Sequence, residues 1–255
     1  MSKELCWLLT SRCNQQCKYC HRFLNSNENS DKFYDKVINK LASMNIKHIT
    51  LGGGEPFLAG NIRKIIELLN EKGIKVKVVT NGTLVISDFM NIIDKLENIT
   101  LSIDSVEDDI NEKLGRGKEH FSTIEKLLNT LCKGGIKPTV SINSVITKDN
   151  INGLKKLSVF LKKYKIKNWR IFRFCPLRET ALKNKELLEI TNEEFLNLKS
   201  EILSEDYPFS VDFRNYEDMN SKYLLITPDA KLSLSDNLDD KILGDIINDD
   251  LREYF

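Results

Sequence analysis

Six times between residues 5 and 174 a short apolar or β-branched run recurs, and stretches with helical spacing separate most of these runs. No other feature limits the fold as tightly. The strand candidates are 5–10, 48–51, 75–80, 99–103, 139–146 and 169–174. The helix candidates are 31–44, 61–72, 87–96, 121–133 and 151–164. Several strand runs lack a clean polar–apolar alternation, which is the expectation for parallel strands buried on both faces. Lys72-Gly73 and Gly134-Gly135 read as helix stops, and Ser87 and Asn150 as N-caps. Six strand–helix units in succession imply a parallel sheet with right-handed crossovers. A closed-sheet fragment, a partial (β/α) barrel and a doubly wound sheet all satisfy that pattern.

After a helical stretch at 195–203 the pattern changes to short strands at 209–213, 223–226 and 231–234, with a Pro228-Asp229 turn. We therefore expect a barrel over residues 1–203 and a C-terminal extension over 204–255 that covers one side of it. The 255 residues are 41% apolar and 29% charged, with a formal net charge of +1. Such a balance suits a soluble globular chain and gives no generic nucleic-acid or anionic-membrane surface. No apolar run approaches the roughly 20 residues that span a bilayer, and the N-terminus lacks the features of a secretory signal. The expectation is a cytoplasmic protein, in which the six cysteines serve as ligands or buried thiols instead of disulfides.

Directly after the first strand stands CNQQCKYC, which spaces Cys13, Cys17 and Cys20 by three and two residues. Three thiolates on one loop can converge on one metal centre. A structural zinc site takes four protein ligands, commonly from two CxxC knuckles. Only one group of cysteines is present, so zinc requires a fourth ligand such as His21. An iron–sulfur cluster ordinarily takes four thiolates. Three leave one iron open to a ligand that is also a substrate. Cys6, Cys132 and Cys175 show no ligand spacing and read as buried thiols.

CxxxCxxC at the end of a first strand, with Tyr19 before the last cysteine, resembles the radical S-adenosylmethionine (SAM) superfamily. The resemblance implies a partial (β/α)6 barrel of α/β class. It implies a [4Fe–4S] cluster on Cys13, Cys17 and Cys20, with the fourth iron chelating the amino and carboxylate groups of SAM. It further implies reductive cleavage of SAM to a 5′-deoxyadenosyl radical that abstracts a substrate hydrogen, and an electron donor such as flavodoxin or ferredoxin. Gly53-Gly54-Glu55-Pro56 matches the family's GGE motif, which contacts the methionyl amine. Tyr19, Asn81, Ser102 and Asp104 become candidate cofactor contacts by position. For Asn81, Ser102 and Asp104 the competing reading is N-capping of the next helix. No second cysteine-rich segment appears, which speaks against auxiliary clusters.

GGEPF, Asp104-Ser105, GRG, INSVI, WRIF and MNSKYLLI together resemble the viperin group, which dehydrates nucleoside triphosphates at the ribose. That resemblance makes Arg116, Asn143 and Arg170 candidate substrate contacts and Tyr223 a candidate proton or hydrogen relay. Arg116, between two glycines, reads either as a solvated turn residue or as an anion clamp. Alternation puts Ser141 and Asn143 on one strand face, and Arg170 and Phe172 on another. Three departures stand out. Ser141 replaces a lysine, Gly52 a serine and Asn168 a basic residue. Arg173, Arg178 and Lys47 are the cations that can compensate. Three readings stay open: a nucleotide dehydratase, a radical SAM enzyme acting on a peptide or small metabolite, and a non-catalytic zinc module.

Overall fold

The computed structural model describes residues 4–24, 31–133, 135–236 and 239–255. Gly134, half of one expected helix stop, and the N-terminal 1–3 lie outside them. Ten strands form one sheet in the order β10-β9-β8-β1-β2-β3-β4-β5-β6-β7. They are β1 (Glu4–Leu8), β2 (His48–Gly52), β3 (Lys75–Thr80), β4 (Asn98–Ser102), β5 (Thr139–Ile146), β6 (Asn168–Arg173), β7 (Ser210–Arg214), β8 (Tyr223–Ile226), β9 (Lys231–Asp236) and β10 (Asp239–Asp245). Every pair from β8 through β1 to β7 is parallel, and β8–β9 and β9–β10 are antiparallel. The two edges, β10 and β7, are not joined, so the barrel is partial and open. Residues after Leu203 add strands at both edges.

Nine α-helices accompany the sheet among the described residues. They are α1 (Asp31–Ser43), α2 (Ile62–Glu71), α3 (Asp108–Leu114), α4 (His120–Lys133), α5 (Leu154–Leu161), α6 (Arg178–Lys183), α7 (Lys185–Leu188), α8 (Asn192–Leu203) and α9 (Tyr216–Met219). None is long and apolar enough to cross a membrane. The apolar stripes of α1 (Val37, Ile38, Leu41), α2 (Ile62, Ile65, Leu69) and α4 (Ile124, Leu127, Leu131) share one core with alternate strand residues Trp7, Leu51, Val78, Leu101, Ile142 and Trp169.

The remaining strand positions face the other way, and here the expectation of non-alternating strands is corrected. Burial alternates along β1, β2 and β3. Their second face carries Cys6, Thr50 and Lys77, followed on the next strands by Thr100, Asn143 and Arg170. The reason is the open barrel: its lumen is not filled by apolar side chains, so only the helix-covered face has to be apolar.

Two of the expected caps differ as well. Ser87 lies inside a π-turn (Val85–Phe89) that runs into a 3₁₀ turn (Met90–Lys95), not at a helix start. The segment is rich in β-branched residues and Asp/Asn/Ser, which resist regular helix, and Arg63 draws off the Asp88 carbonyl and the Asn91 side chain. Asn150 precedes a 3₁₀ turn without capping it. Its side chain accepts from Thr147 N–H (2.8 Å) and donates to the carbonyls of Asp104 (3.0 Å) and Val145 (2.9 Å). It therefore fastens the loop after β4 to β5.

Candidate active site

The cysteine loop leaves β1 at Leu8 and lies across the C-terminal ends of the strands. Two glycine-bearing loops hold it by close backbone approach. On one side Gly54 N–H donates to Thr10 O (2.7 Å) and Glu55 N–H to Arg12 O (2.8 Å). A Cβ on Gly54 would sit 2.0 Å from Arg12 O, so no other residue fits without displacing the loop. On the other side Gln16 N–H donates to Gly115 O (3.0 Å) and Lys18 N–H to Leu114 O (3.0 Å). Gly115 ends α3 with φ 88°, and a Cβ there would lie 2.2 Å from Gln16 O.

Within the loop, Cys13 Sγ accepts from Gln15 N–H and Cys20 Sγ from Arg22 N–H, each at 3.4 Å. Cys13 also lies 3.9 Å from the Asn81 amide nitrogen, which donates to Asn14 Oδ1 (2.8 Å). Burial pushes the Cys17 thiol up to about 11, and Arg116 opposes the rise. Burial also raises Cys13. A Cys20 charge raises both, so the three thiols lie within electrostatic reach of one another.

Beneath the loop runs a buried polar chain. Asp104, 1% exposed, accepts from Tyr19 OH and Arg116 Nε on one oxygen and from Val145 N–H (2.8 Å) on the other. Arg116 Nη1 donates to Gln15 Oε1 (3.2 Å), and Gln15 Nε2 reaches His120 Nδ1 (3.0 Å). His120 Nε2 lies 3.1 Å from the Ser102 carbonyl and must donate to it, which leaves Nδ1 as the acceptor for Gln15. Burial, with Arg116 nearby, holds His120 down at about 3, so it is neutral at pH 7. Glu55, wholly buried, accepts from Thr80 OH (2.7 Å), Asn81 N–H (2.9 Å) and Phe57 N–H (3.3 Å). Burial raises its pKa despite those bonds.

Two cavities lie on the second, less apolar face of the sheet. One of about 290 Å³ lies beside the loop and is lined by Cys20, Gly53, Cys175, Arg178, Tyr216 and Tyr223, among others. The second, of about 380 Å³, is the barrel lumen. Register draws Ser102, Asn143 and Arg170 into one row across β4, β5 and β6. Asn143 Oδ1 is buried with no hydrogen-bond partner among the described residues. Tyr223 lines both cavities and accepts from Arg214 Nη1 (3.1 Å). Burial pushes its hydroxyl up to about 12.

The radical SAM superfamily model matches residues 7–161. The chain belongs to the radical SAM superfamily. Among curated relatives, an S-adenosylmethionine-dependent nucleotide dehydratase of Flammeovirga pacifica is 28% identical over 248 residues, covering 88% of this chain and 80% of that protein. A probable GTP 3′,8-cyclase of Methanothermobacter marburgensis is 28% identical over 186 residues, covering 71% of this chain and 56% of the cyclase. A solved structure of Streptococcus suis SuiB bound to precursor peptide SuiA superposes with a TM-score of 0.77 at 16% identity, over 99% of this chain and 64% of SuiB. At that identity the likeness speaks for the fold alone.

Radical SAM enzymes work with a [4Fe–4S] cluster and SAM. Among the described residues no group of three or more His, Cys, Asp or Glu side chains is already gathered around a common metal position. The donor chemistry nevertheless fits a cluster: three thiols on one loop, two of them accepting N–H bonds, beside the buried Arg116 cation. His21, the candidate fourth ligand for zinc, commits Nε2 to the Cys175 carbonyl (2.6 Å) and is held down at about 4, burial being the main cause.

The candidate residues thus fall into two groups. Tyr19, Glu55, Asn81, Asp104 and Arg116 join the frame around the cysteine loop. Ser102, Asn143, Arg170 and Tyr223 stand on the strands beneath it. Arg116 lies with Asp104 inside the protein, neither a solvated turn residue nor at the lumen wall. Gln15 and His120 were not foreseen, and nothing in their spacing flags them. Asn98, bonded to Ser141 (2.9 Å), was also missed, although the polar alternation of Asn98, Thr100 and Ser102 in NITLS carried that signal.

Proposed function

We propose that this radical SAM enzyme holds its cluster on Cys13, Cys17 and Cys20 and acts on a nucleotide-class substrate in the barrel lumen, as in viperin-like dehydration at the ribose. Those three cysteines would hold the cluster, which would supply the electron for reductive cleavage of SAM and so the 5′-deoxyadenosyl radical for substrate hydrogen abstraction. Gly53, Gly54 and Asn81, beside the cysteine loop, would contact the methionyl end of SAM. Glu55 acts indirectly by fixing the backbone of Asn81. Tyr19, Asp104 and Arg116 keep the loop in place, and Arg116 offsets the negative charge of the thiolates. Ser102, Asn143 and Arg170 orient the substrate, and Tyr223, between the two cavities, moves a proton or hydrogen. The electron comes from a small cytoplasmic donor such as flavodoxin or ferredoxin.

One observation carries the nucleotide reading: the Ser102–Asn143–Arg170 row supplies a hydroxyl, an unpartnered buried acceptor and a guanidinium in one line of the lumen. Buried polar atoms are nearly always bonded, so an orphaned acceptor facing a cavity calls for a ligand donor. The kinship with the nucleotide dehydratase supports the same reading. The test is anaerobic reconstitution with SAM and reductant, followed by a panel of nucleosides and nucleotides scored by 5′-deoxyadenosine yield. Stimulation well above the substrate-free rate is expected. No stimulation by any member would remove the reading.

A second reading, a peptide or small metabolite as substrate, has its own support. Where the viperin resemblance expects cations, Ser141 and Asn168 bond each other (2.6 Å), and Asn98 completes the set. A precursor peptide that binds this chain and gains a modification would decide for it.

A further inference from the structure

Resting on the nucleotide reading, we infer that the lumen selects a nucleoside or nucleoside monophosphate and discriminates against the triphosphate. The ionisable wall of the lumen consists of Lys77, Lys167 and Arg170 against Glu4 and Glu97, apart from the Cys6 thiol and Tyr223 phenol. Three cations against two anions leave one net positive charge. A triphosphate carries several negative charges, and each one taken from water needs a cation or a donor in return.

The lumen cations are not equally available. Glu97 lies 3.9 Å from Lys77 Nζ and 3.7 Å from Lys75 Nζ, and it also binds His48 Nδ1 at 3.0 Å. Burial raises its pKa, but His48 and the two lysines outweigh that and hold it ionised. Lys77 is therefore drawn toward the floor of the barrel. Lys167, directly before β6, is exposed at the same end of the barrel as Glu97. Arg170 alone is partly buried in the lumen with no hydrogen bond or ion pair among the described residues. It can neutralise one phosphate or carboxylate.

The cations that the sequence offered as replacements, Arg173, Arg178 and Lys47, do not line this lumen, and neither does Arg214. Arg173 donates to the Ile190 carbonyl (2.7 Å), and Arg178 forms a fork on Asp240 (2.7 and 2.8 Å). Arg214 pairs with Asp212 (2.7 Å), and Lys47 lines a different cavity. On the strands beside Arg170 the wall is neutral: Asn143, Ser141, Asn98 and Thr100. Those groups carry no charge to offset a phosphate, and Asn143 Oδ1 asks for a donor such as a hydroxyl or ring amine. Glu97 is then a specificity-determining residue that acts by restraining Lys77.

The experiment uses the anaerobic holoenzyme with SAM and reductant. Each ribonucleoside is compared with its mono- and triphosphate, both by calorimetric Kd and by kcat/KM for 5′-deoxyadenosine. For the preferred base, the nucleoside or monophosphate should exceed the triphosphate by about tenfold or more, the ratio one unmatched charge interaction sets. Glu97→Gln releases Lys77 and should shift that ratio several-fold toward the triphosphate. A wild-type preference for a triphosphate overturns the inference and leaves the nucleotide reading standing. An unchanged ratio in E97Q overturns the role of Glu97. No response to any nucleoside or nucleotide overturns the nucleotide reading and this inference together.

Discussion

Replacing Asp104 by Asn should detach the cysteine loop from the barrel more thoroughly than the loss of one charge suggests. The carboxylate is buried, with one oxygen serving Arg116 and Tyr19 and the other Val145 N–H. An amide retains one acceptor oxygen. If that oxygen keeps Val145, the new NH₂ faces two donors and leaves the Arg116 guanidinium buried and unpaired. Breaking a buried ion pair on one side costs about 3–5 kcal/mol. For a chain of this size that lowers Tm by roughly 6–20 °C. The assay is thermal unfolding of the anaerobically purified variant, with iron content measured in parallel, since Tyr19 and Gln15 belong to the loop that carries the cysteines. The control is the double variant Asp104→Asn/Arg116→Met, which removes the orphaned charge. Buried pairs replaced on both sides are often neutral, so the double variant should recover most of the lost stability. A D104N protein within about 1 kcal/mol of wild type, or a double variant worse than the sum of the singles, would refute the argument that Arg116 depends on Asp104.

Cys17→Ala should abolish SAM cleavage and sharply reduce bound iron, measured by 5′-deoxyadenosine yield and metal analysis; full activity would overturn the cluster assignment. Gly54→Ala drives a methyl group into the Arg12 carbonyl at 2.0 Å. It should cost about 1–3 kcal/mol and weaken iron retention, read by denaturant unfolding and by the cluster's visible absorbance. Tyr223→Phe should leave uncoupled SAM cleavage intact while product formation falls, and equal loss of both would argue against a relay. His120 has an ordinary pKa of 6.5 in the unfolded chain and about 3 in the fold. Its contribution to stability is complete above pH 6.5 and declines as pH falls from there toward 3, by about 2 kcal/mol at pH 5. His120→Gln should flatten the pH dependence of unfolding by that amount.

The strand positions were legible because a parallel barrel strand has to put apolar side chains under its helix. Ranges 75–80, 139–146 and 223–226 coincide with β3, β5 and β8. What the strings concealed was the second face. VSINSVI and NITLS read as interrupted apolar runs, yet Asn98, Thr100, Ser141 and Asn143 look into a lumen that stays open because β10 and β7 do not meet, while Ser144 turns to the core and accepts from Trp169 Nε1 (2.9 Å). Short elements escaped for a different reason. α3 has only Ile110 and Leu114 as apolar anchors and is fixed by its contact with the cysteine loop, so its helical character is a tertiary property. β10, unlike the strand read at 231–234, was not foreseen, and it is similarly set by pairing with β9.

The site divides along the same line. Cys13, Cys17 and Cys20 stand on one loop, so a spacing rule alone is enough to propose them together. Arg116 needs Asp104 at a separation of 12 residues and Gln15 at 101, and Gln15 needs His120 at 105. No periodicity encodes those pairings. Read alone, an arginine between two glycines resembles a mobile anion clamp. Gly115 instead serves the close approach of the cysteine loop, and Asn111 accepts the Arg116 backbone N–H (2.9 Å). With the residue so fixed, its side chain turns inward to Asp104. The same GRG string therefore supplies a cation to the cluster loop and withholds it from the lumen. On the proposed reading, that exchange leaves Arg170 as the charge with which the lumen meets its substrate.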